Sequence, residues 1–286
     1  MRLASYIAHG RTSFGAVVDG GVVDFRVRFG SRFTTLVDLI RADAVAEVRT
    51  AVAGMRPDFP LSTVEMLPPL LAPEKILCIG INYANRNVDF NDPDVPKYPS
   101  MFYRHAGSFV GGGEALVRPS VSVQLDYEGE IAVVIGREGR HVPKQRAHEH
   151  ILGYTLCNEG TVRDWLRHGK FNVTQGKNFD RSGSIGPFIV TADEIDHEKP
   201  MHIIVKLNGE VTQDDNTASM IFSFADLIAY ITTFMTIKPA DVIVTGTPVK
   251  LGPRADPPRW LRAGDIVEVF SPELGMLLCN PVVDEE

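Results

Sequence analysis

The stretch Asp126-Tyr127-Glu128-Gly129-Glu130-Ile131-Ala132-Val133-Val134-Ile135-Gly136 decides how the chain must fold. Residues 131–135 are all apolar, which is typical of a strand buried on both faces. Because residues two apart share one face of a strand, Glu128 and Glu130 are predicted to point the same way at the mouth of a buried sheet. A solvated face on an edge strand is the alternative interpretation of Glu-x-Glu.

Two buried carboxylates that lie close together repel, and burial makes ionising either of them costly. The pattern therefore predicts a positive charge between Glu128 and Glu130, supplied by a divalent cation or by an Arg or Lys pair. Glu159 follows the apolar run 151–156 and is a candidate for a third acid. An all-oxygen set indicates a hard ion such as Mg²⁺, Mn²⁺ or Ca²⁺ rather than zinc.

Composition excludes several classes of protein. The chain has 286 residues and a net charge of -7, whereas general nucleic-acid binding needs a basic face. No apolar stretch approaches the roughly 20 residues of a membrane span. The first residues lack the order of a signal peptide, so we expect a cytoplasmic protein. Three widely spaced cysteines argue against a disulfide framework.

The chain divides near residue 70. Strand patterns, a turn at 19–21 and helical patterns at 35–40 and 45–53 predict a small N-terminal unit. A segment rich in proline then predicts an extended linker. Short apolar strand-like runs dominate the remainder, with helical patterns at 161–168 and at 224–234, the latter with Ser223 as N-cap. We therefore expect an N-terminal domain over 1–70 and a second domain over 71–286.

Two further motifs carry polar groups suited to an anion. Lys177 lies in a turn next to Gly176, where its ammonium can be aimed at a substrate carboxylate, although most lysines are simply solvated. The turn Thr245-Gly246-Thr247-Pro248 follows an apolar run and offers hydroxyl and backbone N–H groups, although it is equally consistent with a structural turn.

Taken in order, these motifs resemble the fumarylacetoacetate hydrolase family, over residues 75 to 283. Each motif is short, and their order gives the resemblance its specificity. The matching residues are Gly80-x-Asn82-Tyr83, Asp126 to Gly136, Gly153-Tyr154, Asn158-x-x-x-x-Arg163-Asp164, Gly176-Lys177, Gly186-Pro187, Asn208-Gly209-Glu210, Gln213, the turn from Thr245 to Pro248, and Gly264-Asp265.

The resemblance implies an α+β, β-rich fold, a mixed β-sheet roll or sandwich with a small N-terminal domain, and a homodimer. It also implies Mg²⁺, or Mn²⁺ or Ca²⁺, held by three acids that match Glu128, Glu130 and Glu159. The third acid is usually Asp in the family, so this chain has a longer arm. By the same matching, the residues implied to contact the substrate are Tyr83, Lys177, Gln213 and Thr247.

The largest departure from the family lies in the segment after Asn82-Tyr83. Family members carry a His and, three residues later, a Glu that activate water, whereas this chain has Arg86 and Asp89. Arg86 cannot act as a base because a guanidinium stays protonated. We therefore expect Asp89, or alternatively His105 or His168, to be the base, and Arg86 to contact a second carboxylate of a diacid or sugar acid.

The family acts on 2-oxo acids, and three functions follow from the resemblance. The first choice is metal-dependent hydrolysis of a C–C bond in a 2,4-dioxo acid (an acylpyruvate), giving pyruvate and a carboxylic acid. An isomerase or a decarboxylase would use the same enolate and needs no water-activating pair. A catalytically weak dimer that only binds a 2-oxo acid is the alternative of another class.

Overall fold

The structure is a computed structural model that describes residues 1–84, 86, 94–170, 172–197, 199–252 and 258–286. The strands, in chain order, are β1 (Arg2–Ala8), β2 (Arg11–Val18), β3 (Gly21–Asp24), β4 (Phe59–Pro60), β5 (Glu65–Met66), β6 (Ile76–Gly80), β7 (Ser100–Tyr103), β8 (Phe109–Val110), β9 (Leu116–Arg118), β10 (Leu125–Asp126), β11 (Gly129–Ile135), β12 (Ile151–Asn158), β13 (Thr161–Val162), β14 (Gly183–Thr191), β15 (His202–Leu207), β16 (Glu210–Asn216), β17 (Val242–Val244), β18 (Ile266–Ser271) and β19 (Met276–Asp284). The α-helices are α1 (Phe25–Phe29), α2 (Leu36–Arg41), α3 (Val45–Val52), α4 (Thr174–Lys177) and α5 (Phe224–Phe234).

Most strands belong to one large mixed sheet. Its order is β4-β3-β2-β1-β14-β12-β11-β17-β6-β7, with β5 paired to β1 and β8 paired to β14. A second sheet has the order β16-β15-β18-β19-β9, and β10 pairs with β13 separately. Parallel pairs, such as β17 with β6, occur among mostly antiparallel ones. This β-rich α+β architecture of mixed sheets confirms the predicted fold class.

Strand β11 lies at the centre of the packing. Ile131 and Val133 join the core cluster that contains Val205 and Val269 of the second sheet. The alternating side chain Val134 belongs to a different cluster, shared with residues of α2 and α3. Both faces of β11 are therefore buried, one of them against the second sheet, as the continuous apolar run predicts.

The helices confirm three of the sequence-based predictions and correct a fourth. Helices α2, α3 and α5 lie where the helical patterns predict them, and Ser223 caps α5 by accepting a hydrogen bond from the Asp226 N–H. The pattern at 161–168 is not an α-helix: it forms β13 and then a 3₁₀-helix, Arg163–Arg167. Pairing of Thr161 with Asp126 holds this segment extended.

The N-terminal part of the chain extends the large sheet. Strand β1 pairs with β14, and the proline-rich segment supplies β4 and β5, which pair with β3 and β1. The division into 1–70 and 71–286 stays a prediction. No helix within the described ranges is long and apolar enough to cross a membrane.

Gly129 brings the two sheets together next to the acidic residues. A Cβ atom built on Gly129 would lie 2.2 Å from Cγ2 of Val205 in β15. Such a distance is far inside van der Waals contact, and a buried Val has little freedom to move away. Gly is therefore required between Glu128 and Glu130 for the second sheet to pack closely.

We predict that Gly129→Ala lowers the free energy of unfolding by about 1–3 kcal/mol, the usual cost of overpacking a core. Gly80→Ala in β6 is the matched control, because its added Cβ would meet Ser100 Oγ at an ordinary 3.7 Å. Urea unfolding of both variants measures the difference. Equal stability of the two variants would contradict the close packing described here.

Candidate active site

The acidic residues lie where two neighbouring antiparallel strands begin and end. Strand β11 starts at Gly129 and pairs with Asn158, the last residue of β12. Glu128 therefore precedes one strand and Glu159 follows the other. The Glu128 N–H donates to Asn158 Oδ1 at 2.9 Å, and the Glu159 N–H donates to the Glu128 carbonyl oxygen at 2.7 Å. These bonds hold Glu128 and Glu159 side by side.

Basic side chains surround Glu128. Its Oε1 accepts hydrogen bonds from Arg86 Nη2 at 2.8 Å and from Arg163 Nη2 at 2.7 Å. Its Oε2 accepts from Thr161 Oγ1 at 2.7 Å and from the Lys177 ammonium. Burial alone would raise the pKa of Glu128, but Arg163, Lys177 and Arg86 outweigh burial and hold the pKa well below its ordinary value.

Glu159 has two basic partners, and burial still raises its pKa in spite of them. Lys177 Nζ donates to Glu159 Oε2 at 2.7 Å, and Arg104 Nη1 donates to Oε1 at 3.0 Å. The side chains of Arg104 and Glu159 are 0 % and 2 % exposed, so this ion pair is fully buried. Burial lowers the pKa of Lys177, but Glu128 and Glu159 raise it by more, so the net shift is upward. The Lys177 side chain is therefore an ammonium ion.

Glu130 accepts its hydrogen bond from a backbone N–H, whereas Glu128 and Glu159 accept theirs mainly from basic side chains. Its Oε2 accepts the Gly246 N–H at 2.5 Å in the turn after β17. Burial, then Glu159 and Glu128, raise the pKa of Glu130 well above its ordinary value, and Lys177 offsets this only in part. Gly246 has φ 104°, and a Cβ there would lie 2.7 Å from Asn82 Cβ, so the turn needs glycine to reach Glu130.

The structure brings most of the predicted site residues to this region. Gln213 reaches across from the second sheet, accepting from the Gly129 N–H at 3.3 Å and donating to Thr247 Oγ1 at 2.9 Å. Tyr83 is fully buried, and its hydroxyl has no hydrogen-bond partner within the part of the chain that the structure describes. Burial and then Glu130 raise the pKa of Tyr83.

Of the three proposed bases, the structure describes only His105 and His168, and both lie away from this cluster; the exposed His168 ring packs against Trp165. The contacts of His105 are elsewhere: its half-exposed ring lies 3.1 Å from the Asn178 carbonyl oxygen and 3.6 Å from Asp180. Asp89 lies outside the described residues. Arg86, in contrast, is buried at Glu128, where its guanidinium supplies charge rather than a base.

The sequence analysis missed the part played by two arginines. Arg163 appears there only in the matched motif, yet it bridges Glu128 and Asp126, its Nε lying 3.0 Å from Asp126 Oδ2. Arg104 carried no motif at all. The only signal for Arg104 is a charged residue directly after the apolar strand β7, a position that is commonly exposed.

The donor chemistry of the three glutamates fits a hard dication, as predicted. They are buried oxygen donors, and burial together with Glu159 and Glu128 makes ionisation of Glu130 costly. As the side chains stand, no three Asp, Glu, His or Cys side chains in the described ranges converge on one point where a metal could bind. Lys177 joins Glu128 to Glu159, so a basic side chain lies at Glu128 but not between Glu128 and Glu130, where the sequence placed the Arg or Lys alternative.

We predict opposite effects for two isosteric substitutions in metal-free buffer. Glu128→Gln leaves buried cations uncompensated and lowers the free energy of unfolding at neutral pH by about 3–5 kcal/mol. Glu130→Gln removes a buried charge and raises that free energy by about 1 kcal/mol. Urea unfolding in the presence of EDTA measures both.

Acidification tests the sign of each effect. The stability that ionised Glu128 contributes is present above the ordinary carboxyl pKa and is lost as pH falls, so the Glu128→Gln deficit shrinks in acid. The gain from Glu130→Gln is present above the ordinary carboxyl pKa and disappears below about pH 4. Shifts of the same sign for both variants would contradict the electrostatics described here.

Comparison with known proteins identifies the family. Residues 75–283 match the model of the fumarylacetoacetate (FAA) hydrolase C-terminal domain. The human mitochondrial oxaloacetate tautomerase FAHD2B is 38% identical over 268 residues, which covers 92% of this chain and 84% of that protein.

Two solved structures share the fold over their full lengths. A fumarylacetoacetate hydrolase from Exiguobacterium antarcticum is 28% identical with a TM-score of 0.82, and a 5-carboxymethyl-2-hydroxymuconate delta-isomerase from Mycobacterium smegmatis is 26% identical with a TM-score of 0.76. Each alignment covers 100% of both chains. The relatives are hydrolases, isomerases and tautomerases, and the chain belongs to the fumarylacetoacetate hydrolase family of enzymes.

Proposed function

We propose that the protein is a keto–enol tautomerase of a 2-oxo dicarboxylic acid, with oxaloacetate as the first substrate to test. The observation that carries this proposal is the buried cationic group of Lys177 and Arg86 at the family's acidic site. The relative that shares 38% of its residues across 92% of this chain is an oxaloacetate tautomerase.

Two cationic side chains suit the two carboxylates of such a substrate. The Lys177 ammonium, buried at the end of α4, is placed to bind the carboxylate next to the 2-oxo group. Arg86 stands at the position where the family's water-activating His is expected. A planar guanidinium binds a carboxylate in a bidentate manner, which fits the second, distal carboxylate.

Tautomerisation needs charge stabilisation and the net movement of one proton from carbon to oxygen. In the keto-to-enol direction a base or solvent water takes the C3 proton, the C3–H electron pair forms the C2–C3 double bond, and the carbonyl π pair moves to the 2-oxo oxygen. That oxygen then takes up a proton to become a hydroxyl, with no net oxidation or hydrolysis. The negative charge that develops on this oxygen would be stabilised by the Lys177 ammonium in a site that excludes water. Glu128, Glu130 and Glu159 would hold a dication, which would act as a Lewis acid.

Hydrolysis of an acylpyruvate, the first choice from the sequence, stays a prediction, as do the Mg²⁺ cofactor and the homodimer. Hydrolysis needs a base that activates water, and Arg86 cannot supply one. Tautomerisation requires no activated water, which is why the Arg86 substitution favours it.

The assay adds enol-oxaloacetate to the protein with Mg²⁺ and follows the loss of enol absorbance. Faster loss of the enol than in buffer, with keto-oxaloacetate as the sole product, supports the proposal. Release of CO₂ would indicate a decarboxylase, and release of pyruvate from an acylpyruvate would indicate the hydrolase. Stabilisation by oxalate and Mg²⁺ without turnover of any substrate would indicate the weakly catalytic binder.

We predict that Arg86→Met lowers kcat/KM for oxaloacetate by about 100-fold, the effect of removing one buried charged partner. Its kcat/KM for phenylpyruvate, a 2-oxo acid with a single carboxylate and a stable enol, falls by much less. Arg137→Met is the control, because Arg137 is 65% exposed. Equal losses on both substrates would show that Arg86 only supports Glu128 and would remove the argument for a dicarboxylate.

A further inference from the structure

Three of the four carboxylates of the site already form ion pairs with cations of the protein. Four acids, Asp126, Glu128, Glu130 and Glu159, lie among five basic side chains, Arg86, Arg104, Arg163, Lys177 and Lys250. With all nine groups ionised, this cluster has a net charge of one positive unit. A dication entering it would raise the local charge to three, which a buried site tolerates poorly.

Lys177 is the cation that competes with a metal most directly. Its Nζ bonds to Glu128 Oε2 and to Glu159 Oε2, so a single ammonium joins two of the three oxygen donors. The arginines are fixed by other partners: Arg104 also donates to the Gly160 carbonyl and to Ser182 Oγ, and Arg163 bonds to Asp126. Lys177 reaches both glutamates through a flexible four-carbon stem, whereas a guanidinium is a rigid fork.

We propose that a divalent cation and a 2-oxo acid bind to this site with positive coupling, because the cation displaces Lys177 from Glu128 and Glu159 and the substrate carboxylate receives it. This inference rests on the proposed function for the identity of the ligand. In the absence of the acid, a dication must displace an ammonium that has no other anion to bind. With the acid bound, the same displacement gains a new ion pair and restores the charge balance.

Linkage makes the effect reciprocal: the acid raises affinity for the metal by the factor by which the metal raises affinity for the acid. The experiment measures Mn²⁺ affinity from the electron paramagnetic resonance signal of free Mn²⁺, with and without pyruvate, a stable ligand that chelates free Mn²⁺ weakly. In the wild-type protein, pyruvate raises Mn²⁺ affinity by about tenfold.

The variant Lys177→Met tests whether the coupling arises from competition between the Lys177 ammonium and Mn²⁺. Without the ammonium, we expect Mn²⁺ to bind about tenfold more tightly in the absence of pyruvate, and pyruvate to change that affinity less than about twofold. Lys144→Met is the matched control: it removes the same charge from a half-exposed ion pair with Asp226, outside the cluster, so Mn²⁺ affinity stays within about twofold of wild type.

Three results would overturn the inference: no effect of pyruvate on Mn²⁺ affinity in the wild type, no gain in affinity in Lys177→Met, or an equal gain in Lys144→Met. The wild-type titration decides the matter even if Lys177→Met folds poorly. Failure of the tautomerase proposal is distinguishable, because it appears as absent turnover of enol-oxaloacetate while the Mn²⁺ titrations still show coupling.

Discussion

The need to neutralise three buried glutamates at one end of β11 and β12 governs the structure around the site. A carboxylate removed from water is strongly disfavoured unless a cation or hydrogen-bond donors compensate it. Glu128 and Glu159 obtain this compensation from Lys177 and from arginines on separate elements. These elements are the residue after β7, the 3₁₀-helix that follows β13, and α4, so the same ion pairs fix the surroundings of the site.

The sheets hold this charged cluster in a dry environment. Close approach at Gly129 lets the second sheet cover one face of β11, and Gln213 from that sheet reaches Thr247 on the other side of the site. The turn at Gly246 brings a backbone N–H to Glu130. Because the protein interior has a low dielectric constant and excludes water, each of these charges acts more strongly on a bound anion than the same charge would at the surface.

Sequence reasoning predicted the features that depend on local pattern. The apolar run 131–135 predicted a strand covered on both faces, and Ser223 predicted the start of α5. It predicted that Glu128 and Glu130 need a positive charge, because burial and repulsion follow from spacing alone. It could not say which cation this is, since Arg104 and Arg163 reach the glutamates only through strand pairing between distant segments.

The family resemblance identified the site residues, which the hydrophobic pattern alone could not. It does not extend to Arg86, where this chain departs from the family. Glu159, longer than the usual Asp by one methylene, reaches both Arg104 and Lys177, a pairing that neither residue signals on its own. A water-activating His is replaced by an arginine that pairs with Glu128. These two departures shift the expected chemistry from hydrolysis toward enolisation of a diacid.

Crystals grown with Mn²⁺ and a 2-oxo acid, measured at the manganese absorption edge, test the central claim most directly. The account predicts an anomalous peak at the oxygens of Glu128, Glu130 and Glu159, with the Lys177 ammonium on the carboxylate of the acid. Manganese at other residues, or Lys177 still joining Glu128 to Glu159 with the acid bound and no anomalous peak there, would contradict it.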